Sequence, residues 1–177
     1  LKENFYKYQA QTTRFASGFE VDYAKGAYIY GKDGKAYLDF VAGVSVNTLG
    51  HSNRKINDAI KQQVDRYMHV AVYGEYAQEQ PVELCKRLVD NTPEGLEQVY
   101  LVNSGTEAVE ASLKLAKRFT GRQQIVSFRN AYHGNTHGSL SVSGGDERKK
   151  AAFRPLLPEV YFICLLYTSP SPRDATL

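Results

Sequence analysis

Tryptophan is absent from the 177 residues, methionine occurs once and cysteine twice. Cys85 and Cys164 are too few for a disulfide framework and lack the short spacing of a zinc site, so neither is expected to staple the fold. Long apolar runs are missing as well: nothing approaches the roughly 20 residues that cross a bilayer. The opening LKENFYKYQAQ lacks the apolar centre of a secretory signal. No membrane partner is therefore expected, and the cytoplasm is the expected address. Charge of a single sign is lacking too. The 22 Lys and Arg nearly balance 19 Asp and Glu, for a net +3, and they are dispersed rather than clustered with aromatics. That argues against a nucleic-acid surface.

What is present is the composition of a globular protein able to bury a core, 42% hydrophobic and 23% charged. GAYIYGKDGKAYLDF (26–40) has two aromatic-rich runs around a Gly-containing turn and predicts a β-hairpin. VAGVSVNTLGH (41–51) reads as an irregular connection packed against something. Asn53 is placed to cap a helix with Ile56, Ala59, Ile60, Val64, Tyr67 and Met68 inward. A second helix from near Pro81 would turn Val82, Leu84, Cys85, Leu88 and Val89 inward and stop at NTPEG. Farther on, QIVSF (124–128) and VYFI (160–163) read as strands, with a loop at RNAYHGNTHGSL and a short helix within 146–159. The alternation implies an α/β sheet with helical crossovers.

Two features read as signs of a partial chain. The single methionine is Met68, so Leu1 is not expected to be a natural start. The string CLLYTSPSPRD (164–174) resembles the translation of a transposase-type sequencing adapter, and residues 164–177 are expected to be a non-native tail.

The most informative stretch is QVYLVNSGTEAVEASLKLAKR (98–118). It predicts a strand, a tight turn and an amphipathic helix ended by Gly121. Ala108, Ser112, Leu115, Ala116 and Phe119 form the expected inner stripe, and Glu110 with Lys114 forms an i,i+4 pair. Ser104 and Glu107 have capping-box spacing. The turn has two readings, a well-made helix start or an anion site, in which Gly105 lets a phosphate approach N–H groups at the positive end of the helix. Glu107 would repel that phosphate unless it turns away.

Four stretches together resemble the class III pyridoxal-phosphate aminotransferases, the group of ornithine, acetylornithine, 4-aminobutyrate and ω-amino acid aminotransferases. They are YLDFVAGVSVNTLGH, QEQPVELCKRLV, VNSGTEAVEASLKLAKR and FRNAYHGNTHGSLSVSG, in the family's order. The resemblance implies a type I α/β fold. Residues 1–45 would belong to the small domain and 46–163 to part of the large cofactor-binding domain. It implies pyridoxal 5'-phosphate as cofactor, a homodimer when full length, and transfer of an amino group from a small-molecule donor to a 2-oxo acid. Ser104, Gly105 and Thr106 match the turn that holds the cofactor phosphate, Tyr132 the aromatic stacked on its ring, and His133 a pocket-lining residue. Without the resemblance, Tyr132 and His133 are an ordinary packed tyrosine and loop histidine. His137 does not make a metal site with His133, since the loop between is broken by glycine and has no acidic or cysteine ligands.

Two departures qualify the match. Where ornithine and acetylornithine members carry an arginine that grips the substrate α-carboxylate, this chain has Asn135. A neutral amide cannot supply that planar charged fork. The family's cofactor-binding lysine and the acid beside the pyridine nitrogen lie later than Ile163, so no catalytic residue is assigned and the chain alone is expected to be inactive. A non-catalytic phosphate-binding α/β module, or an aminomutase or decarboxylase using the same turn, stays open.

Overall fold

The computed structural model describes residues 1–71, 74–145 and 147–165. The chain divides into two compact units, Leu1–Ala77 and Gln78–Leu177.

The first unit opens with α1 (Lys2–Tyr8) and continues into an antiparallel meander of β1 (Val21–Lys25), β2 (Tyr28–Gly31) and β3 (Ala36–Leu38). The expected hairpin is β2–β3, paired Tyr28 to Leu38 and Tyr30 to Ala36. Its turn closes through the Gly34 N–H, which donates to the Gly31 carbonyl at 2.9 Å. Gly34 holds φ at +78°, a conformation that favours glycine. Strand β1, not anticipated, joins through cross-strand stacking of Tyr23 on Tyr30 at 4.3 Å. A single turn, α2 (Ala42–Ser45), follows, and it is left-handed: φ is +46° at Ala42, +61° at Gly43, +62° at Val44 and +64° at Ser45. The connection expected to pack is instead open, with Val41, Val44, Val46 and Leu49 66 to 81% exposed. Helix α3 (Arg54–Arg66) starts as expected, the Asn53 side chain accepting from the Lys55 and Ile56 N–H groups.

The second unit begins with α4 (Glu79–Asp90), which ends at Asn91 as expected. Residues 98–102 form no strand, because a strand exists only through its ladder and no described segment runs beside them. Helix α5 (Gly105–Thr120) ends at Gly121, in the left-handed conformation with φ +69°. Strand β4 (Ile125–Phe128) pairs in parallel with β5 (Val160–Ile163), the α/β signature expected. Between them lie α6 (His137–Val142), α7 (Glu147–Lys150) and a 3-10 turn at Ala151–Phe153. Helix α6 falls where a continuous loop was expected.

The face of α5 also differs from expectation. Thr106, Val109, Glu110, Leu113 and Lys117 are on the partly covered side, while Leu115 and Phe119 are 67 and 87% exposed. Both sets have helical spacing, so periodicity alone could not choose between them. The expected inner residues of α3 and α4 are likewise largely uncovered: Ile60, Met68 and Val82 are more than half exposed. The expected tail falls mostly at 166–177, outside the described residues.

Candidate cofactor-phosphate site

Ser104 is the N-cap of α5, its Oγ accepting from the Glu107 N–H at 3.2 Å. The carboxylate of Glu107 reaches back and accepts from the Asn103 N–H at 2.7 Å. This differs slightly from a strict capping box, in which the acid would meet the N-cap residue itself. It turns the negative charge toward the chain preceding the turn, the condition on which anion binding depended. The N–H groups of Gly105 and Thr106 take no partner among the described residues, and a Cβ placed on Gly105 would meet nothing within 4 Å. Two open, unpaired N–H groups at the start of a 16-residue helix are what an anion requires.

The other expected site residues lie on the loop between β4 and α6. That loop is anchored at its start: the Arg129 N–H donates to the Ile163 carbonyl at 2.9 Å, and the Asn130 N–H to the Gly144 carbonyl at 2.8 Å. Tyr132 is 74% exposed, its ring free to meet a ligand. His133 is half-buried, and its backbone N–H donates to Ser143 Oγ at 3.0 Å. Asn135 is exposed.

The loop meets α5 through Thr136 and Ser139, which sequence reading missed. Thr106 Oγ1 lies 2.9 Å from Thr136 Oγ1 and 2.5 Å from Ser139 Oγ. Glu110 Oε1 accepts from the Ser139 N–H at 3.0 Å and from the Thr136 hydroxyl. The expected Glu110–Lys114 pair is thus replaced by a bond across to α6. The Thr136 hydroxyl foremost, with the Ser139 and Gly138 N–H groups, holds the Glu110 carboxyl below its ordinary range against the opposing effect of burial. Gly134 and Gly138 make this approach possible. A Cβ at Gly134 would stand 2.6 Å from Thr106 Cβ, and one at Gly138 would stand 2.7 Å from Glu110 Cδ. The two glycines, four residues apart beside two hydroxyl residues, were the available signal.

The family model described as Aminotransferase class-III matches residues 8–175. The chain belongs to this family. The acetylornithine aminotransferase of Aquifex aeolicus is 43% identical over 141 residues, covering 76% of this chain and 36% of its own length. The same-named protein of Clostridium acetobutylicum is 41% identical over 145 residues, with 78 and 36% covered. Among solved structures, adenosylmethionine-8-amino-7-oxononanoate aminotransferase from Methanocaldococcus jannaschii matches with a TM-score of 0.86 at 30% identity, over 98% of this chain and 42% of that one. Taurine:2-oxoglutarate aminotransferase from Bifidobacterium kashiwanohense, solved with PLP and glutamate, matches with a TM-score of 0.85 at 30% identity, over 98 and 40%. This class-III chain therefore has the α/β architecture of the type I transaminases, and it spans 34 to 36% of the length of the first curated relatives.

Proposed function

We propose that this chain is the N-terminal part of a pyridoxal-phosphate-dependent aminotransferase and carries the cofactor-phosphate side of its site. One observation supports this above the others: the unpartnered N–H groups of Gly105 and Thr106 open at the start of α5, beside the loop that presents Tyr132 and His133. The residues fit a phosphate ester. Two N–H donors and the positive helix end match its charge, and Glu107 is turned back to Asn103.

In this reading Ser104, Gly105 and Thr106 hold the phosphate, Tyr132 covers the ring face, and His133 lines the pocket. The cofactor supplies an electron sink that labilises the substrate's bonds, and the chain supplies its anchoring and orientation. Thr106 contributes its N–H, since its hydroxyl is already bonded to Thr136 and Ser139. Tyr132 offers an aromatic face without engaging the ring's polar atoms. In this reading no lysine of this chain takes the covalent role.

The substrates of the whole protein are a small amino donor and a 2-oxo acid, and its assembly is a homodimer in the cytoplasm. Asn135 favours a donor whose carboxylate is gripped elsewhere, or an ω-amine, over one held by an arginine at this position. The test is a titration of the chain, followed by the amide resonances of Gly105 and Thr106, with pyridoxal phosphate and separately with pyridoxal. Shifts with the phosphate ester and none with pyridoxal are expected. Equal responses to both, or none to either, would remove the phosphate reading.

A further inference from the structure

We infer that Glu110 is a positioning residue of the proposed cofactor site: its carboxylate clasps the start of α6 to α5 and so fixes the loop carrying Tyr132 and His133 against the Gly105 and Thr106 N–H groups. The inference rests on the cofactor reading of that turn and deepens it.

The loop has two ends to hold. Its first is fixed by backbone bonds from Arg129 to Ile163 and from Asn130 to Gly144. Beyond it, the far end of α6 is tied to β4 by the Ser127 hydroxyl, which donates to the Val142 carbonyl at 2.7 Å. The end nearest the phosphate turn has no strand to hold it. There Glu110 takes the Ser139 N–H and the Thr136 hydroxyl, and Thr106, one turn earlier on the same face of α5, meets both hydroxyls. Ser139 is fully buried within this cluster.

The arrangement also settles a charge conflict. A carboxylate one turn into α5 would oppose an anion at that helix's start. Aimed instead at the first N–H groups of α6, it is matched there, and the positive end of α5 stays available. The Thr106 hydroxyl is likewise committed to the clasp, so Thr106 offers the phosphate its backbone N–H. No side chain at position 134 or 138 could be larger than glycine's without entering the Thr106 or Glu110 side chain.

The test compares Glu110→Ala, Glu110→Gln and Thr106→Val with the unmodified chain. The readouts are amide hydrogen exchange at Ser139 and phosphorus NMR titration with pyridoxal phosphate. Glu110→Ala is expected to speed Ser139 exchange about tenfold and to weaken pyridoxal phosphate about tenfold, as loss of a supporting shell does. Glu110→Gln keeps the Oε1 acceptor and should stay within about threefold of the unmodified chain on both readouts. Thr106→Val keeps the backbone donor while cutting the clasp from its other side, and should resemble Glu110→Ala. Unchanged exchange and affinity in Glu110→Ala, or a Gln variant as impaired as the Ala variant, would overturn the clasp while leaving the phosphate turn standing. An unmodified chain that binds no pyridoxal phosphate would overturn the reading of the turn, and with it the positioning role.

Discussion

The imidazole of His51 bridges two segments: its Nε2 lies 2.7 Å from Asp39 Oδ2, and its Nδ1 lies 2.8 Å from Asn47 Nδ2. An Nε2–H donating to Asp39 leaves Nδ1 to accept from the Asn47 amide. The other carboxylate oxygen of Asp39 accepts from the Val41 and Ala42 N–H groups at 3.0 and 2.9 Å. Between these contacts runs the left-handed turn at 42–45, which is disfavoured for residues other than glycine and for branched Val44 above all. The Asp39–His51–Asn47 brace, with the bridge from Gly26 to His51 behind it, is what holds that turn.

The brace makes the turn sensitive to acid. The Ala42 N–H, then His51, hold the Asp39 carboxyl below its ordinary range. A lowered folded pKa means protonation favours the unfolded form. The contribution is complete above the free carboxyl value, about 3.9, and declines as pH falls through the lower folded value. Protection of the Ala42 amide should therefore decline in strong acid. Asp39→Asn should be less protected at pH 7 and flatter in that acid window. Equal protection at pH 7 would show that the brace does not hold the turn.

Two glycines should respond differently to alanine. At Gly144 the new Cβ would stand 2.8 Å from Arg129 Cα and 2.9 Å from the Phe128 carbonyl carbon, and backbone cannot step aside. A cost of about 1–3 kcal/mol is expected, read as a lowered urea midpoint. At Gly138 the obstacle is the end of the Glu110 side chain, which can rotate. The helix gains about 0.5–1 kcal/mol from losing glycine, so Gly138→Ala should keep its urea midpoint yet lose Ser139 protection. A matching loss of stability in both variants would contradict this distinction.

Ser104→Ala removes the only side-chain bond to the Glu107 N–H among the described residues. Loss of such a cap costs about 1 kcal/mol, measurable as faster amide exchange through the first two turns of α5. Thr92→Ala, in the turn after α4, is the control and should leave α5 untouched.

What could be read in advance was local. Asn53, Ser104 and Gly121 mark helix ends through their own side chains or lack of one, and Gly34 marks the hairpin turn. The turn proposed to hold the phosphate shows in sequence only as the start of α5, marked by Ser104. Residues 98–102 have strand composition, but a strand needs a neighbour. Helix α6 was hidden because glycine and serine weaken its intrinsic preference, and it is held by Glu110 and Ser127 from other elements. Glu110 itself was assigned to Lys114 because i,i+4 spacing is visible in sequence, whereas a partner 29 residues away is not.

The uncovered faces supply the last expectation. Val142 is the one large apolar side chain buried among the described residues, at 4% exposure, whereas Leu115 and Phe119 project outward from α5. Deleting buried methyl groups removes transfer energy and leaves a void, so Val142→Ala should cost about 1–2 kcal/mol. Leu115→Lys with Phe119→Glu removes no described packing and should shift stability by less than about 0.5 kcal/mol. The same pair interrupts an apolar patch whose exposure favours self-association. Sedimentation of the double variant should therefore show fewer large species than the unmodified chain at equal concentration. If the pair instead lowers the urea midpoint as much as Val142→Ala does, that face of α5 is covered in solution, and the stripe expected from sequence is an inner one after all.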